Sequence, residues 1–400
     1  MNTLKFGNGE WYGKKDTILA YNDENSNFKP LPFSFDRDTS ATRVNKDGLI
    51  ETVGSGEPRI DYKDDSKGAL LLEPTRSNLI TNSNNLTTWN GAAMTRTLVD
   101  DLINPSNGLD ASKLLQSASG GYAWLSRTFT GNETFSAFVK KDSSNFARLY
   151  AANNTVYFDI VNGTIETEVG SDITDKSIID YGNGWFRISM SVNSTDASYV
   201  RIYPASSGSS SSGTNSLFVY GAQLEQGSYA TSYIPTQGGA ATRVQETSAT
   251  VSNNINNFGT SNFSLFIESY IKEGYNARLK KMQTWTARGY GFYVNAYGLR
   301  GRVYGDSQID TSYVGIGSVI NNSKNKALMV VDRVLNTITI YSNGVNVHSQ
   351  SIASIAGDSL DNTSPLEFQR AIDIEAGLIN DFRIYNTALT NQESIALTKI

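Results

Sequence analysis

From about residue 135 onward, apolar and polar positions alternate with a period of two. Phe135, Ala137 and Val139 share one parity, as do Val156, Phe158 and Ile160; Asn162-Gly163 follows, then Ile165, Thr167 and Val169. Successive side chains of an extended strand point to opposite faces, so each run predicts a half-buried strand. An Asn-Gly pair between two such runs predicts a hairpin, because a type I′ turn needs positive φ at both central residues. Phe186, Ile188, Met190 and Val192 predict a further strand, and Val200 with Ile202 another. Ser206 to Ser212, after Pro204, reads as an exposed loop, and the chain returns to strand over Leu217 to Tyr220.

A second β-rich stretch begins near Asn262, where Phe263, Leu265 and Ile267 alternate with Ser264, Phe266 and Glu268. Ala327 to Val331 is apolar at every position, which predicts a strand buried on both faces. Thr337 to Tyr341, Asn343-Gly344, then Val345 and Val347 predict a second hairpin. Helix is predicted only at the tail, where Thr390-Asn391-Gln392-Glu393 has the form of a capping box ahead of Ile395-Ala396-Leu397. The first 75 residues alternate poorly and carry Pro30, Pro32, Pro58 and Pro74, so they read as irregular and held in shape by packing on something else. Ala41-Thr42-Arg43-Val44 recurs as Ala241-Thr242-Arg243-Val244, an echo too short to establish a duplication.

The 400 residues exceed what one core commonly supports, so two domains are expected. With 21 Tyr, 17 Phe and 5 Trp, the chain has ample apolar area to bury, which argues against disorder. The 34 basic residues against 39 acidic ones leave a net charge of −5, which disfavours nucleic acid as a partner. No run approaches the ~20 apolar residues of a membrane span, so no insertion into a membrane is expected. There is no cysteine and one histidine, His348, which excludes disulfides, thiolate metal sites and multi-imidazole centres. The first ten residues have no apolar segment of the secretory kind, and no export signal is expected there.

Phe33 to Glu51, with Arg37-Asp38-Thr39-Ser40-Ala41-Thr42-Arg43-Val44 at its centre, resembles a segment near the front of many bacteriophage fibre and receptor-binding proteins. So do Pro58 to Tyr62 and Gly68 to Ile80. Tyr220-Gly221-Ala222-Gln223-Leu224-Glu225-Gln226-Gly227 with Ser232-Tyr233-Ile234-Pro235-Thr236 is similar to the closing strand of the carbohydrate-binding-type jelly roll in those proteins. Gly377 to Thr390 resembles the ending of laminin-G-type, concanavalin-like sandwiches, and Tyr341 to Val345 their hairpin. The expected fold is therefore all-β: two tandem jelly-roll sandwiches, residues 76–245 and 246–400, preceded by an irregular attachment segment, residues 1–75. The resemblance implies a non-enzymatic fibre or appendage protein on tail, collar or head, made in the host cytoplasm and released by lysis. It also implies a homotrimer, docking to other virion proteins through the N-terminal segment, and engagement of host-surface glycans. The alternatives are a stand-alone glycan-binding module of bacterial or prophage origin and a polysaccharide depolymerase, whose long repetitive β-helix is missing here.

Catalytic constellations fail on inspection. Ala371-Ile372-Asp373-Ile374-Glu375 resembles the Glu-x-Asp-x-Glu strand of a retaining glucanase family, but alanine stands where the nucleophile is needed. His348 has no nucleophile elbow to serve, and no phosphate loop is present. No cofactor is expected; Asp100-Asp101 and Asp358 to Asp361 are the candidates for a calcium ion, without a twelve-residue calcium loop. Sugar binding needs flat rings for the C–H face of a pyranose and planar polar groups for its hydroxyls. Trp285, Arg288, Tyr290, Tyr293, Asn295, Tyr297, Arg302 and Tyr304 supply both within one short stretch, and they form the predicted glycan site. Trp89, Trp124 and Trp185 are read as core or interface residues.

Overall fold

The computed structural model describes residues 3–9, 11–14, 17–22, 27–250, 258–271, 276–282, 287–315, 317–368 and 377–400. The chain forms two compact units: residues 41–52 with 75–243, and residues 1–40, 53–74 and 244–400. One sandwich is thus inserted, in sequence, within the other. The leading segment expected to stand apart does not: its residues 1–40 and 53–74 belong to the same unit as 244–400. The reason is backbone pairing, and Pro30 and Pro32 fall where the register of strand Asn27–Asp36 against Thr17–Asn22 shifts, between Lys29 and Phe33, where a missing N–H is tolerated. Strand Asn27–Asp36 pairs with Thr247–Thr250 and with Thr17–Asn22, and Thr3–Gly7 and Ala69–Leu72 both pair with Gly377–Tyr385.

The inserted unit, 41–52 and 75–243, is a sandwich of two six-stranded antiparallel sheets. The first runs in the order Asn90–Ala92, Tyr122–Thr128, Ala197–Ala205, Phe146–Ala151, Asn154–Asp159, Thr164–Val169. The second runs Met94–Val99, Ala111–Gln116, Ser216–Gln226, Gly131–Lys141, Trp185–Ser194, Ile173–Asp180. The period-two pattern explains the core between them. Ala123, Leu149, Val156, Phe158, Val200 and Ile202 face inward from the first sheet and meet Phe135, Ala137, Val139, Ile188, Met190 and Val192 from the second. Each fully buried Val, Ile or Phe contributes roughly 1.5–3 kcal/mol, so this layer carries the stability of the unit. Outside the second sheet a smaller cluster packs Val44 and Ile50 with Phe138, Trp185, Tyr220 and Tyr233.

The unit containing the termini has the same logic. Phe263–Ile271 lies between Ser323–Asp332 and Gly377–Tyr385, and Thr337–Ser342 and Val345–Ser351 extend that sheet. Opposite it, Asn276–Lys281, Gly289–Asn295, Gly298–Tyr304 and Gln308–Asp310 form a meander. Strand Ser323–Asp332 is buried on both faces, as its unbroken apolar run requires. Ala327, Met329 and Val331 face the core, while Leu328 and Val330 pack with Phe266, Tyr341 and Leu389 beside the tail helix Asn391–Thr398. That helix begins with the capping box, Thr390 and Glu393 each accepting from the other's backbone N–H.

The two Asn-Gly pairs differ. Asn343 and Gly344 have φ of 48° and 84°, and Ser342 pairs with Val345, which is the two-residue turn expected. At the first pair only Gly163 has positive φ, at 70°; Asp159 pairs with Thr164 across a longer turn. Its Oδ1 accepts the N–H groups of Val161 and Asn162 at 2.8 and 2.9 Å, so an Asx turn replaces the type I′ turn.

Candidate functional site

The residues predicted to bind glycan do not form one surface. Trp285 lies outside the described residues, as do Ala371, Asp373 and Glu375. Tyr290 is 1% exposed and sits in the core, its ring centroid 5.3 Å from that of Phe258 and 5.0 Å from that of Phe263. The alternation of Gly289–Asn295 sends Tyr290, Phe292 and Val294 inward together, so Tyr290 is corrected from ligand contact to core. Tyr293 points to the other face but is 9% exposed, with the guanidinium carbons of Arg278 and Arg302 each 5.9 Å from its ring centre. Tyr304 is 3% exposed, and Arg302 donates to Asp310 at 3.0 Å. Arg288 is ion-paired with Asp306 and donates to the Ser359 carbonyl at 2.9 Å. Among the described aromatic residues of this set, the one that is open lies at the hairpin tip. Tyr297 is 70% exposed there, and Asn295 joins it to Tyr313 by accepting the Tyr297 N–H at 2.9 Å and donating to the Tyr313 hydroxyl at 3.2 Å.

Of the calcium candidates, two carboxylates accept backbone N–H groups. Asp358 accepts the Asp306 N–H and Asp361 the Gly259 N–H, each at 2.6 Å. Among the described residues no group of three or more His, Cys, Asp or Glu side chains is gathered for a metal. His348 faces Gln350 at 3.1 Å on strand Val345–Ser351.

A different face brings rings and planar cations together. In the first sheet of the inserted unit, the positions that alternate with the core residues are Tyr122 and Trp124; Tyr199, Arg201 and Tyr203; Arg148 and Tyr150; and Thr155 and Tyr157. Register sets them in two rows. In one, Asn90 is opposite Trp124, Trp124 opposite Arg201, Arg201 opposite Tyr150, and Tyr150 opposite Thr155. In the next, Tyr203 is opposite Arg148 and Arg148 opposite Tyr157. Cross-strand neighbours lie within side-chain reach, so the rows interlock.

The geometry is that of stacked guanidinium groups. Arg201 lies 4.6, 4.4 and 4.8 Å from the ring centres of Tyr122, Tyr150 and Tyr199. Arg148 lies 4.3 Å from that of Tyr203 and 5.4 Å from that of Tyr157. Trp124 meets Tyr199 edge-on at 5.0 Å, and Tyr122 lies 4.8 Å from Tyr203. Arg201 donates to the Tyr203 hydroxyl at 3.2 Å and Arg148 to the Thr155 hydroxyl at 3.0 Å. The Nε–H groups of both arginines are buried without an acceptor. Burial pushes the Tyr203 phenol above its usual range, so it remains protonated.

One end of this face is closed. The sheet order puts two strands between Ala197–Ala205 and Thr164–Val169, a separation of roughly 14 Å at ~4.8 Å per strand. The Ser/Gly loop leaving Ala205 nonetheless reaches Glu166, because a Cβ on Gly208 would lie 2.7 Å from the Glu166 Cβ. Near this loop Tyr203 and Tyr157 are 4% and 7% exposed, whereas Tyr199 at the other end is 37% exposed. The face therefore offers Trp124, Tyr199, Tyr122 and Tyr150 as ring edges and planes around Arg201.

Of the three tryptophans read as core or interface, Trp89 and Trp185 are buried, and Trp124 lies on this outer face. The sequence signal was Tyr-x-Arg-x-Tyr over residues 199–203 with Tyr-x-Trp and Arg-x-Tyr elsewhere: aromatic and basic residues at the parity opposite to the apolar one.

No protein-family model matches the chain, and no curated protein matches its sequence. Among solved structures, the CBM40 module of the Ruminococcus gnavus IT-sialidase bound to α2,3-sialyllactose is similar at a TM-score of 0.30 and 12% identity, covering 36% of this chain and 85% of that one. The binding domain of Paraclostridial Mosquitocidal Protein 1 is similar at 0.29 and 20% identity, covering 38% of this chain and 43% of that one. The receptor binding domain of botulinum neurotoxin D is similar at 0.30 and 12% identity, covering 38% and 40%.

Proposed function

We propose that this is a non-enzymatic glycan-binding protein of the bacteriophage fibre or appendage type, whose sugar contact is the aromatic and guanidinium face of the inserted sandwich. The observation that carries the reading is the packing of Trp124, Tyr199, Tyr122 and Tyr150 around Arg201 on the outward positions of one sheet. Rings of this kind present flat apolar surface to the C–H face of a pyranose, while guanidinium, phenol and amide groups meet its hydroxyls. A retaining or inverting hydrolase needs two facing carboxylates, and the strands that build the centre of this face, Tyr122–Thr128, Ala197–Ala205 and Phe146–Ala151, contain no Asp or Glu. Binding without hydrolysis fits that lining.

The virion role rests on the signatures of the leading segment and of Tyr220 to Thr236. Each stacked sugar contributes only about 1 kcal/mol beyond area burial, by analogy with aromatic pairs. Single-site affinity then falls in the millimolar-to-micromolar range, roughly −4 to −8 kcal/mol. A homotrimer presenting three copies compensates by avidity. The test is binding of the full chain to polysaccharides from bacterial surfaces, with the Trp124→Ala/Tyr199→Ala variant beside it. Reducing ends should not accumulate, and mass spectrometry of purified particles should contain the chain.

A further inference from the structure

We infer that the glycan taken by this face is acidic: a polysaccharide whose pyranoses carry carboxylates, received by Arg201 and, behind it, Arg148. The inference rests on the glycan-binding reading above and adds the chemical class of the sugar. Four neighbouring strands of the sheet, Asn90–Ala92, Tyr122–Thr128, Ala197–Ala205 and Phe146–Ala151, contain three arginines and not one acidic residue. One of the three, Arg127, is committed to the buried carboxylate of Glu133 by contacts of 2.8 and 2.5 Å. The other two make their side-chain hydrogen bonds to the hydroxyls of Tyr203 and Thr155, so neither positive charge is matched by a carboxylate among the described residues.

A partly desolvated cation without a counter-ion is unfavourable, and an anionic ligand removes that penalty. The way Arg201 is held also points to a planar anion. Phenol rings at 4.4 to 4.8 Å grip the guanidinium without using its N–H groups. The Nε–H is buried and Nη1 donates once, to the Tyr203 hydroxyl, so the terminal edge formed by Nη2 and the second N–H of Nη1 is the one left for a ligand. A carboxylate matches such an edge in two parallel hydrogen bonds, which a sugar hydroxyl cannot do. On a pyranose the carboxylate projects from the ring, so the ring can lie on Trp124 and Tyr199 while its acid group reaches the adjacent Arg201, which is directly opposite Trp124.

The experiment is titration calorimetry of the full-length protein with a panel of polyuronates and a polysialate, each beside its carboxyl-reduced, neutral counterpart. At least one acidic polymer should bind ten-fold or more tighter than its reduced form, and that preference should shrink as salt rises from 0.05 to 0.5 M. Arg201→Gln should abolish the preference, while Arg201→Lys, with charge but no planar edge, should keep only part of it; thermal melts verify that both variants fold. Equal binding of acidic and reduced polymers, lost in Trp124→Ala but unchanged in Arg201→Gln, would overturn the acidic class and leave the glycan-binding reading standing. Binding of no member of the panel, acidic or neutral, would overturn both. Acidic polymers that bind Arg201→Gln as tightly as the wild type would place the anion elsewhere on the molecule and overturn the assignment.

Discussion

Arg59 and Glu246, 187 residues apart, form a double ion pair with both side chains fully excluded from solvent. Arg37 donates to the same Glu246 carboxylate at 2.9 Å, Glu73 pairs with Arg59 at 2.8 Å, and the Glu73 N–H donates to Glu246 at 2.8 Å. Two guanidinium groups and two carboxylates thus neutralise one another inside the unit that holds both termini. This quartet ties Arg37, Arg59 and Glu73 to the chain that returns at 244. The opposite charges of Glu246 and Glu73 raise the Arg59 guanidinium although burial opposes it, so it stays charged.

Glu246→Ala should therefore destabilise the protein by about 3–5 kcal/mol, the usual cost of removing one partner from a buried pair. Urea unfolding followed by far-UV circular dichroism measures this. A loss below about 1 kcal/mol would show that the quartet is not what holds the leading segment in place.

Strand pairing likewise makes residues 246–400 insufficient alone, although the sequence by itself suggests that they form a sandwich. A 246–400 fragment lacks Thr3–Gly7 and Ala69–Leu72, both of which pair with Gly377–Tyr385. It should be insoluble or molten, while a chain covering 41–243 should melt cooperatively. A cooperative β-type melt of 246–400 would contradict this.

Acid should weaken the inserted unit through Asp159. Burial pushes its carboxyl up, but the N–H groups of Asn162 and Val161 and the Asn162 amide outweigh that and hold it below the usual range. A carboxylate with a lowered folded pKa contributes stability that is complete above its unfolded value, near 3.9, and is lost as pH falls through the folded one. Asp159→Ala should cost about 1–3 kcal/mol at pH 7, by the loss of hydrogen bonds to a charged group. The difference from wild type should narrow below pH 3 in urea titrations.

Lys281 acts in the opposite pH range. Its ammonium donates to the Ser364 carbonyl at 2.8 Å, and burial pulls its pKa down to about 8, against the opposing charge of Asp361. The unfolded chain keeps this proton to about pH 10.4 while the folded one releases it earlier, so stability from this group rises between these values. Buried phenols such as Tyr290, raised above 10 by desolvation, act the other way only above pH 10. The midpoint of thermal unfolding should rise from pH 8 to 9.5 in the wild type and not in Lys281→Met.

The sandwiches were legible because their signal is local. Phe135 to Val139, Val156 to Ile160 and Phe186 to Val192 each declare an inward face by parity alone. The quartet was not legible, since Arg37, Arg59, Glu73 and Glu246 are ordinary charged residues until pairing brings distant segments together. The proposed binding face was missed for a related reason. Trp285 to Tyr304 concentrates rings in one stretch of sequence, but alternation divides such a stretch between two faces, and Tyr290 went to the core. Trp124, Arg148, Tyr150 and Arg201 lie on three strands, and only the register of the sheet makes them neighbours.

The most direct test compares two variants of the full chain for binding to bacterial surface polysaccharide: Trp124→Ala/Tyr199→Ala on the inserted sandwich and Tyr293→Ala/Tyr297→Ala on the hairpin of the other unit. Loss of ten-fold or more in the first, with wild-type binding in the second and unchanged circular dichroism in both, is the result expected of a sugar held on the Trp124 and Arg201 face. Wild-type binding by the first variant, or loss confined to the second, would contradict it.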